Sequence, residues 1–347
     1  VRGFLLFYEE VLIMTQQSDV AIAGATGEVG RALLDMLETA GLPIGRIHVL
    51  ASAGSVEDPL MYGSRPLIVE SLDDFDFSTV QFVVLALPAD IAMITAERAL
   101  EAGCRVIDHS TAWHRDDSVP LVLDGDVTAR LEAELVSCPG APAALLAPVL
   151  NVLDEEFGIE SAQATLLLPV SSRGRPGVRE LAGQTGELLN ARGIEPSVFP
   201  VQIAFNCLPL VGLPSGDQED EASRLSRELE KLLHNPVPVT TSLVRMPVFY
   251  GQCASLVVQT ATAVDLQQAA GALARLGVNF PDPESDQGVA TPVTDAAGQD
   301  GVYISGLQTL SAPLRGLQLW LTADNVRQGA ARHSLYILKN WIKDFKY

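Results

Sequence analysis

The 347-residue sequence has few cysteines, few aromatics, a shortage of basic residues and no long apolar run, and each scarcity excludes something. Its four cysteines, Cys104, Cys138, Cys207 and Cys253, form no C-x-x-C pair and no Cys/His spacing of the metal-binding kind. That excludes a disulfide scaffold and a zinc module, predicts no metal site, and points to a reduced, cytoplasmic chain. Aromatic side chains make up 6% against 48% apolar residues, so the core must be mainly aliphatic. Lysine and arginine number 23 against 43 acidic residues, a formal net charge of -20. Such an excess argues against a nucleic-acid partner and leaves small molecules or neutral surfaces. No apolar run reaches the roughly 18–20 residues of a membrane helix. Val1 to Ile13 is apolar but is broken by Glu9 and Glu10, unlike the uninterrupted centre of a signal peptide. Met14 lies just before the first convincing strand, so residues 1–18 are expected to be an extension outside the fold, with the native start at Val1 or Met14.

What is present alternates between strand and helix. Val20 to Ala23 is a short apolar run, followed by a glycine-rich turn and by Val29, Leu33, Leu34 and Leu37 at helical spacing. Gly41 and Pro43 end that helix, and Ile47 to Leu50 reads as the next strand. Phe82 to Leu87 is a continuous apolar run of the type buried in a parallel sheet; Ile91 to Ala102 reads as helix and Arg105 to Asp108 as strand. This is the pattern of a doubly wound sheet. After about residue 140 the character changes. Ala143 to Leu153 predicts an apolar helix, Thr165 to Val170 a strand, and Glu219 to Leu233 a charged amphipathic helix with Leu225, Leu229 and Leu232 on one face. Strands are predicted from Val239 to Val248 and from Ser255 to Thr260, and a helix from Asn325 to Phe345. The expected fold is α/β: a Rossmann-type dinucleotide-binding domain of residues 19–140 plus 325–347, and an α+β domain with an open mixed sheet, residues 141–324.

The turn after the first strand reads Gly-Ala-Thr-Gly-Glu-Val-Gly, residues 24–30. Gly24 permits a tight turn, Gly27 a close approach to a pyrophosphate, and Gly30 close helix–strand packing, with the helix N-terminus facing the anion. The candidate contacts are Gly24, Thr26, Gly27, Glu28, Val29 and Gly30. A glycine pattern alone is weak; this one follows a strand and opens a helix. At the end of the second strand an NAD site usually carries an acid for the ribose hydroxyls. Here the sequence is Ala51-Ser52-Ala53-Gly54-Ser55. Ser52 and Ser55 suit a 2′-phosphate, which favours NADP, and suit a plain polar turn nearly as well.

Together with residues 24–30 and 51–55, Val-Ile-Asp-His-Ser-Thr-Ala-Trp at 106–113, Gln-Ile-Ala-Phe-Asn at 202–206, Arg-Met-Pro-Val-Phe-Tyr-Gly-Gln at 245–252 and Asp-Asn-Val-Arg-Gln-Gly-Ala-Ala at 324–331 resemble the aspartate-semialdehyde dehydrogenase family. The motifs run in the family's order over nearly the whole chain. The resemblance implies an NADP-binding first domain, a second domain for substrate binding and homodimerisation, a C-terminal helix belonging to the first, and a place in amino-acid biosynthesis. It also implies a cysteine thiolate that carries the acyl group, a nicotinamide that exchanges hydride, and a histidine that moves protons.

The sequence departs from that pattern where the chemistry lies. The family's Asn-Pro-Asn-Cys falls on Cys138-Pro139-Gly140-Ala141, which puts Ala141 at the nucleophile. The histidine position is Gln252, an amide that cannot shuttle a proton at neutral pH. The orienting glutamine aligns with Leu168, the phosphate-binding arginine with His114 (beside Arg115), and the 2′-phosphate arginine with Gly54. Other positions are kept. Arg245 matches the arginine for the substrate carboxylate, Glu221 and Arg224 a pair for its amine and phosphate, and Asn325 an asparagine beside the nicotinamide. For Arg245 an ion pair at a domain seam is an equal alternative; for Glu221 and Arg224 a solvated helix face is the expected reading. Three lost groups together predict a non-catalytic relative that keeps possible NADP binding, dimerisation and a site for a small anion. The alternative is an active dehydrogenase using Cys138, three residues before Ala141, as a displaced nucleophile. Cys253, beside Gln252, is a second candidate, and ordinary buried thiols are the expected state of both.

Overall fold

The computed structural model describes residues 17–52, 60–125, 131–210, 220–281 and 288–344. The expected extension lies outside them apart from Gln17 and Ser18, and so do Gly54, Ser55, Glu219 and Phe345. The chain divides into two compact units, residues 1–139 with 331–347 and residues 140–330.

The first unit runs β1 (Ser18–Ala23), α1 (Glu28–Ala40), β2 (Ile44–Ala51), a small antiparallel pair β3 (Leu60–Tyr62) and β4 (Arg65–Leu67), β5 (Val69–Ser71), β6 (Phe82–Leu85), α2 (Ala89–Glu101), β7 (Arg105–Asp108) and β8 (Leu135–Ser137). Six strands form an all-parallel sheet in the order β5-β2-β1-β6-β7-β8. Strand periodicity explains why both faces are covered. Val20 and Ile22 of β1 point to one side and join Leu33, Leu34 and Leu37 of α1. Ala21 and Ala23 point to the other and join Ala92, Ala96 and Ala99 of α2. Ile337, Leu338 and Trp341 of the last helix complete the first of these clusters, with Trp341 stacked 5.9 Å from Phe82.

The second unit runs α3 (Ala141–Phe157), β9 (Ile159–Leu168), α4 (Gly174–Leu189), β10 (Leu208–Pro209), α5 (Glu221–Leu232), β11 (Val239–Arg245), β12 (Gln252–Thr260), α6 (Leu266–Ala274), β13 (Val302–Thr309) and β14 (Gly316–Ala323). Its sheet has the order β10-β11-β9-β12-β14-β13, with β9 and β11 parallel and the other neighbours antiparallel. Along β9, Ala162, Ala164, Leu166 and Leu168 are buried while Gln163 and Thr165 are exposed, the alternation of a sheet with one covered face. The last helix, α7 (Arg332–Asp344), belongs to the first unit.

Several element limits differ from the sequence expectation. The strand expected over Thr165–Val170 begins at Ile159 and stops at Leu168, because Pro169 opens a 3₁₀ turn over Val170–Arg173. The strand expected to reach Val248 ends at Arg245, and the next begins at Gln252 rather than Ser255. Asn325 is not helical. Oδ1 of Asp324 accepts from the amides of Val326 and Arg327, and a π-helical turn over Arg327–Ala331 precedes α7. Among the described residues no helix is long and apolar enough to cross a membrane, and no cluster of His, Cys, Asp and Glu is arranged to hold a metal.

Candidate functional site

In the first unit the glycine-rich turn is built as its spacing requires. Gly24 has φ +80°, and a Cβ there would lie 2.2 Å from the Ala86 carbonyl oxygen. At Gly30 a Cβ would lie 2.5 Å from the Cα of Ala25, so helix and turn approach too closely for any side chain. Gly27 is the N-cap of α1 and supplies no side-chain cap, while its N–H turns back to the Gly24 carbonyl at 2.9 Å. Glu28 and Val29 are half-buried in the first turn of α1, and Thr26 is buried with its carbonyl accepting from Arg31 at 3.0 Å. Ser52 is exposed directly after β2, and Ala51-Ser52 carries no acid. An uncapped helix start behind a glycine cradle fits a pyrophosphate.

The thiol singled out in the sequence also lies in this unit. Cys138 follows β8, is 1% exposed, and donates its backbone N–H to the Asp108 carbonyl at 2.8 Å. Burial, reinforced by the Asp108 carboxylate, pushes the thiol well above its ordinary range, against a smaller opposite effect from Ser334. It is an enclosed thiol, not a poised thiolate. His114 is buried with Nε2 3.1 Å from the Cys138 carbonyl oxygen, so it does not stand in for an exposed phosphate-binding arginine.

In the second unit the sequence-predicted groups fall into three contacts. The first joins Ala141 and Gln252. Ala141 is the first residue of α3, behind the N-cap Gly140, and offers only a methyl group. Gln252, fully buried at the start of β12, donates Nε2–H to the Ala141 carbonyl at 2.8 Å. Neither side chain has a nucleophilic atom or a proton that titrates near neutrality. Cys253 points away from any such role: it is buried, and burial lifts its thiol to about 12.

The second contact is a carboxylate–guanidinium cluster. Arg245, at the end of β11, is 1% exposed. Its Nη2 donates to both oxygens of Glu221, at 2.9 and 3.0 Å, and its Nη1 donates to Ser172 Oγ and, at 3.3 Å, to the Pro169 carbonyl. Burial lowers this guanidinium, Glu221 raises it, and Arg173 and Arg224 lower it further. Arg224 reaches Glu228 at 3.4 Å, one turn along α5. Glu221 is therefore not on a solvated helix face, as the amphipathic pattern suggests: it turns toward Arg173 and Arg245 from distant parts of the chain, which a helical wheel does not contain, while Arg224, 29% exposed, pairs within its own helix. Arg245 is an ion-paired arginine inside the second unit. The third contact holds Asn325, whose Oδ1 accepts from the Gly251 amide at 3.1 Å and whose Nδ2 donates to Ser171 Oγ at 3.0 Å. Leu168 is buried beside Arg245 in the β9–β11 register and orients no polar group.

Sequence reasoning missed Arg173 and Glu228. Arg173 Nη2 lies 2.6 Å from Glu221 Oε1. Glu228 is 2% exposed and its Oε2 accepts the Gly140 amide at 3.0 Å, so a carboxylate sits on the first amide before α3. Its only sequence signal is a charge placed among Leu225, Leu229 and Leu232 on the apolar stripe of α5.

Comparison with known proteins agrees with both halves of this description. Residues 19–131 match the semialdehyde dehydrogenase NAD binding domain, and residues 150–328 match the semialdehyde dehydrogenase dimerisation domain. A USG-1 protein homolog of Pseudomonas aeruginosa is 38% identical over 339 residues, covering 96% of this chain and 100% of that protein. Aspartate-semialdehyde dehydrogenase 2 of Vibrio cholerae is 31% identical over 347 residues, with 96% and 100% covered. The crystal structure of aspartate semialdehyde dehydrogenase II of Vibrio cholerae, complexed with ASA, superposes with a TM-score of 0.87 at 30% identity, over 95% of this chain and 100% of the other.

Proposed function

The chain belongs to the aspartate-semialdehyde dehydrogenase family, and from that membership we propose that it is a non-catalytic member which keeps the family's nucleotide-binding and dimerising frame. The observation that carries this reading is the Ala141–Gln252 contact. At the start of α3, where the family resemblance puts a thiolate, stands a methyl group. Among the described residues, the side chain that hydrogen-bonds to that residue's backbone is the Gln252 amide, whose Nε2 donates to its carbonyl. Covalent acyl transfer needs a nucleophile and an acid/base, and removing either typically lowers turnover by several orders of magnitude. Cys138 does not replace them, because its thiol is enclosed and held protonated.

The retained functions in this reading are binding functions. The Gly24–Gly30 turn and the N-terminus of α1 hold a dinucleotide, and the serine in place of an acid after β2 favours NADP. The nucleotide, when bound, would supply a hydride acceptor; this chain's residues hold its phosphates and orient it. The region of Arg245 and Arg224 takes a small anion, and two chains associate as a homodimer. The test is NADPH formation by the purified chain with aspartate semialdehyde, NADP and phosphate. The expected result is no turnover above the blank, in the wild type and in Cys138→Ser alike. Turnover that disappears in Cys138→Ser overturns the non-catalytic reading.

A further inference from the structure

A cleft of about 420 Å³ lies within the first unit, away from the glycine-rich turn. Its floor holds His48 of β2 and Glu70 of β5. Strand alternation puts both on the sheet face of Leu50, since His48 lies two residues before Leu50 and Glu70 is its partner in register. Asp19, near the start of β1, and Asp74, Phe75 and Asp76, which follow β5, line its sides. The glycine turn follows the other end of β1, about 16 Å away at the rise of an extended strand. His48 is 9% exposed, and its Nδ1 lies 2.8 Å from Glu70 Oε1. A carboxylate only accepts, so in the neutral ring it fixes the proton on Nδ1 and leaves Nε2 an acceptor. Among the described residues neither Nε2 of His48 nor Oε2 of Glu70 has a hydrogen-bond partner. The Phe75 ring packs beside the imidazole, 5.1 Å between centroids.

A ligand entering this cleft meets acceptors. Asp19, Glu70, Asp74 and Asp76 outnumber the one guanidinium of its lining, that of Arg46. Among the described residues no such acids are grouped to hold a metal ion, so the charge suits an organic cation instead. The depth of the cleft divides its chemistry. Nε2 of His48 and the carboxylate of Glu70 can take the N–H groups of an ammonium on the floor, the Phe75 ring offers a face to an alkyl stem and its charge, and the exposed Asp74 and Asp76 stand where a second ammonium would emerge. We propose that this cleft binds alkyl diamines, with His48 and Glu70 holding the inner ammonium and Asp74 and Asp76 the outer one. The proposal is independent of whether the chain turns over an aldehyde or holds a nucleotide, because no residue of the glycine turn or of the second unit takes part.

Isothermal titration of the full-length chain with 1,4-diaminobutane, butylamine and tetramethylammonium tests it. The second ammonium, paired at the exposed rim, is expected to make the diamine bind about fivefold more tightly than butylamine. Tetramethylammonium carries charge but no N–H group, and is expected to bind more weakly than butylamine. His48→Phe keeps a ring beside Phe75 and removes the acceptor, and is expected to weaken both amines about tenfold. His48→Gln restores an acceptor and is expected to recover most of that loss. The double variant Asp74→Asn, Asp76→Asn leaves an oxygen for the Ser78 amide and hydroxyl, which Asp76 accepts in the wild type. It is expected to bring the diamine down to the affinity of butylamine while leaving butylamine unchanged. Melting curves establish that the variants are folded. No heat of binding from the diamine in the wild type overturns the proposal. Equal affinity for butylamine and tetramethylammonium reduces the cleft to unspecific charge attraction and overturns it too, as does unchanged diamine binding in folded His48→Phe.

Discussion

At Ala141 and Gln252 the decisive fact is the identity of the side chain, and identity is what a sequence displays directly. The absence of a thiol and an imidazole from those positions was legible before any geometry. Glu221 was not, because its partners Arg173 and Arg245 lie 48 and 24 residues away and only folding joins them. Nor was Asp108, which the fold buries completely. Its Oδ2 accepts from the amide and the hydroxyl of Ser110, at 3.0 and 2.6 Å, yet burial outweighs these bonds and raises the carboxyl from 3.8 to about 6. His333, 2% exposed, is held by burial at about 3 against an ordinary 6.5. The two act on stability in opposite directions. As pH falls from 6 to 4, folded Asp108 takes up a proton that the unfolded chain does not yet bind, so folding gains. Over the same interval the unfolded chain protonates His333 and the folded chain does not, so folding loses. Asp108→Asn keeps an acceptor for Ser110 and deletes only the first effect. Its stability is expected to fall on acidification more steeply than that of the wild type, by about 1.4 kcal/mol per pH unit between pH 6 and 4. Urea unfolding at pH 4, 5, 6 and 7 measures this, and parallel profiles for the two proteins would contradict it.

At the scale of elements, the strand–turn–helix start of the first unit was readable because glycine spacing constrains the backbone directly. The limits of β9, β11 and β12 were less so. They depend on where Pro169 turns the chain and on how far pairing with neighbouring strands extends, which propensity does not encode. The beginning of α1 also separates two demands on one residue. Gly27 has φ -75° and ψ 177°, a conformation open to any residue, and leaves the helix without a side-chain cap. A carboxylate there would cap α1, a gain over glycine of only a few tenths of a kcal/mol, provided the Gly24 carbonyl, 3.1 Å from the new Cβ, gives way slightly. The same carboxylate would occupy the place proposed for the pyrophosphate. Gly27→Asp is therefore expected to melt at or above the wild-type temperature without nucleotide and to lose the increase that NADP confers. At a nucleotide concentration about 100 times Kd that increase corresponds to roughly 2.7 kcal/mol. An NADP-dependent rise of equal size in both proteins would remove the glycine turn from the nucleotide site. Gly24→Ala cannot make this distinction, because its Cβ would strike the Ala86 carbonyl and disturb the fold itself.

For the whole molecule, the order of strand and helix signals already separated a doubly wound first half from a mixed second one, while the one-sided burial along β9 emerged only with the fold. Apolar runs such as Phe82–Leu85 need two covered faces, whereas the alternation along β9 needs one. Association follows a different logic, because it sets local complementarity against the charge of the entire chain. Residues 150–328 match a dimerisation domain, while each chain brings a formal charge of -20. Two such chains repel over distances that exceed the contact itself. At 0.15 M salt the screening length is about 8 Å and little of this repulsion survives; at 0.01 M it is about 30 Å and most of it does. The proposed homodimer is therefore expected to sediment at twice 37.0 kDa at micromolar concentration in 0.15 M salt, and to dissociate progressively as salt is lowered. An interface held by surface ion pairs between the two chains would respond the other way, tightening at low salt. Sedimentation equilibrium across that salt range distinguishes the two, and a 37.0 kDa species under every condition would remove the homodimer altogether.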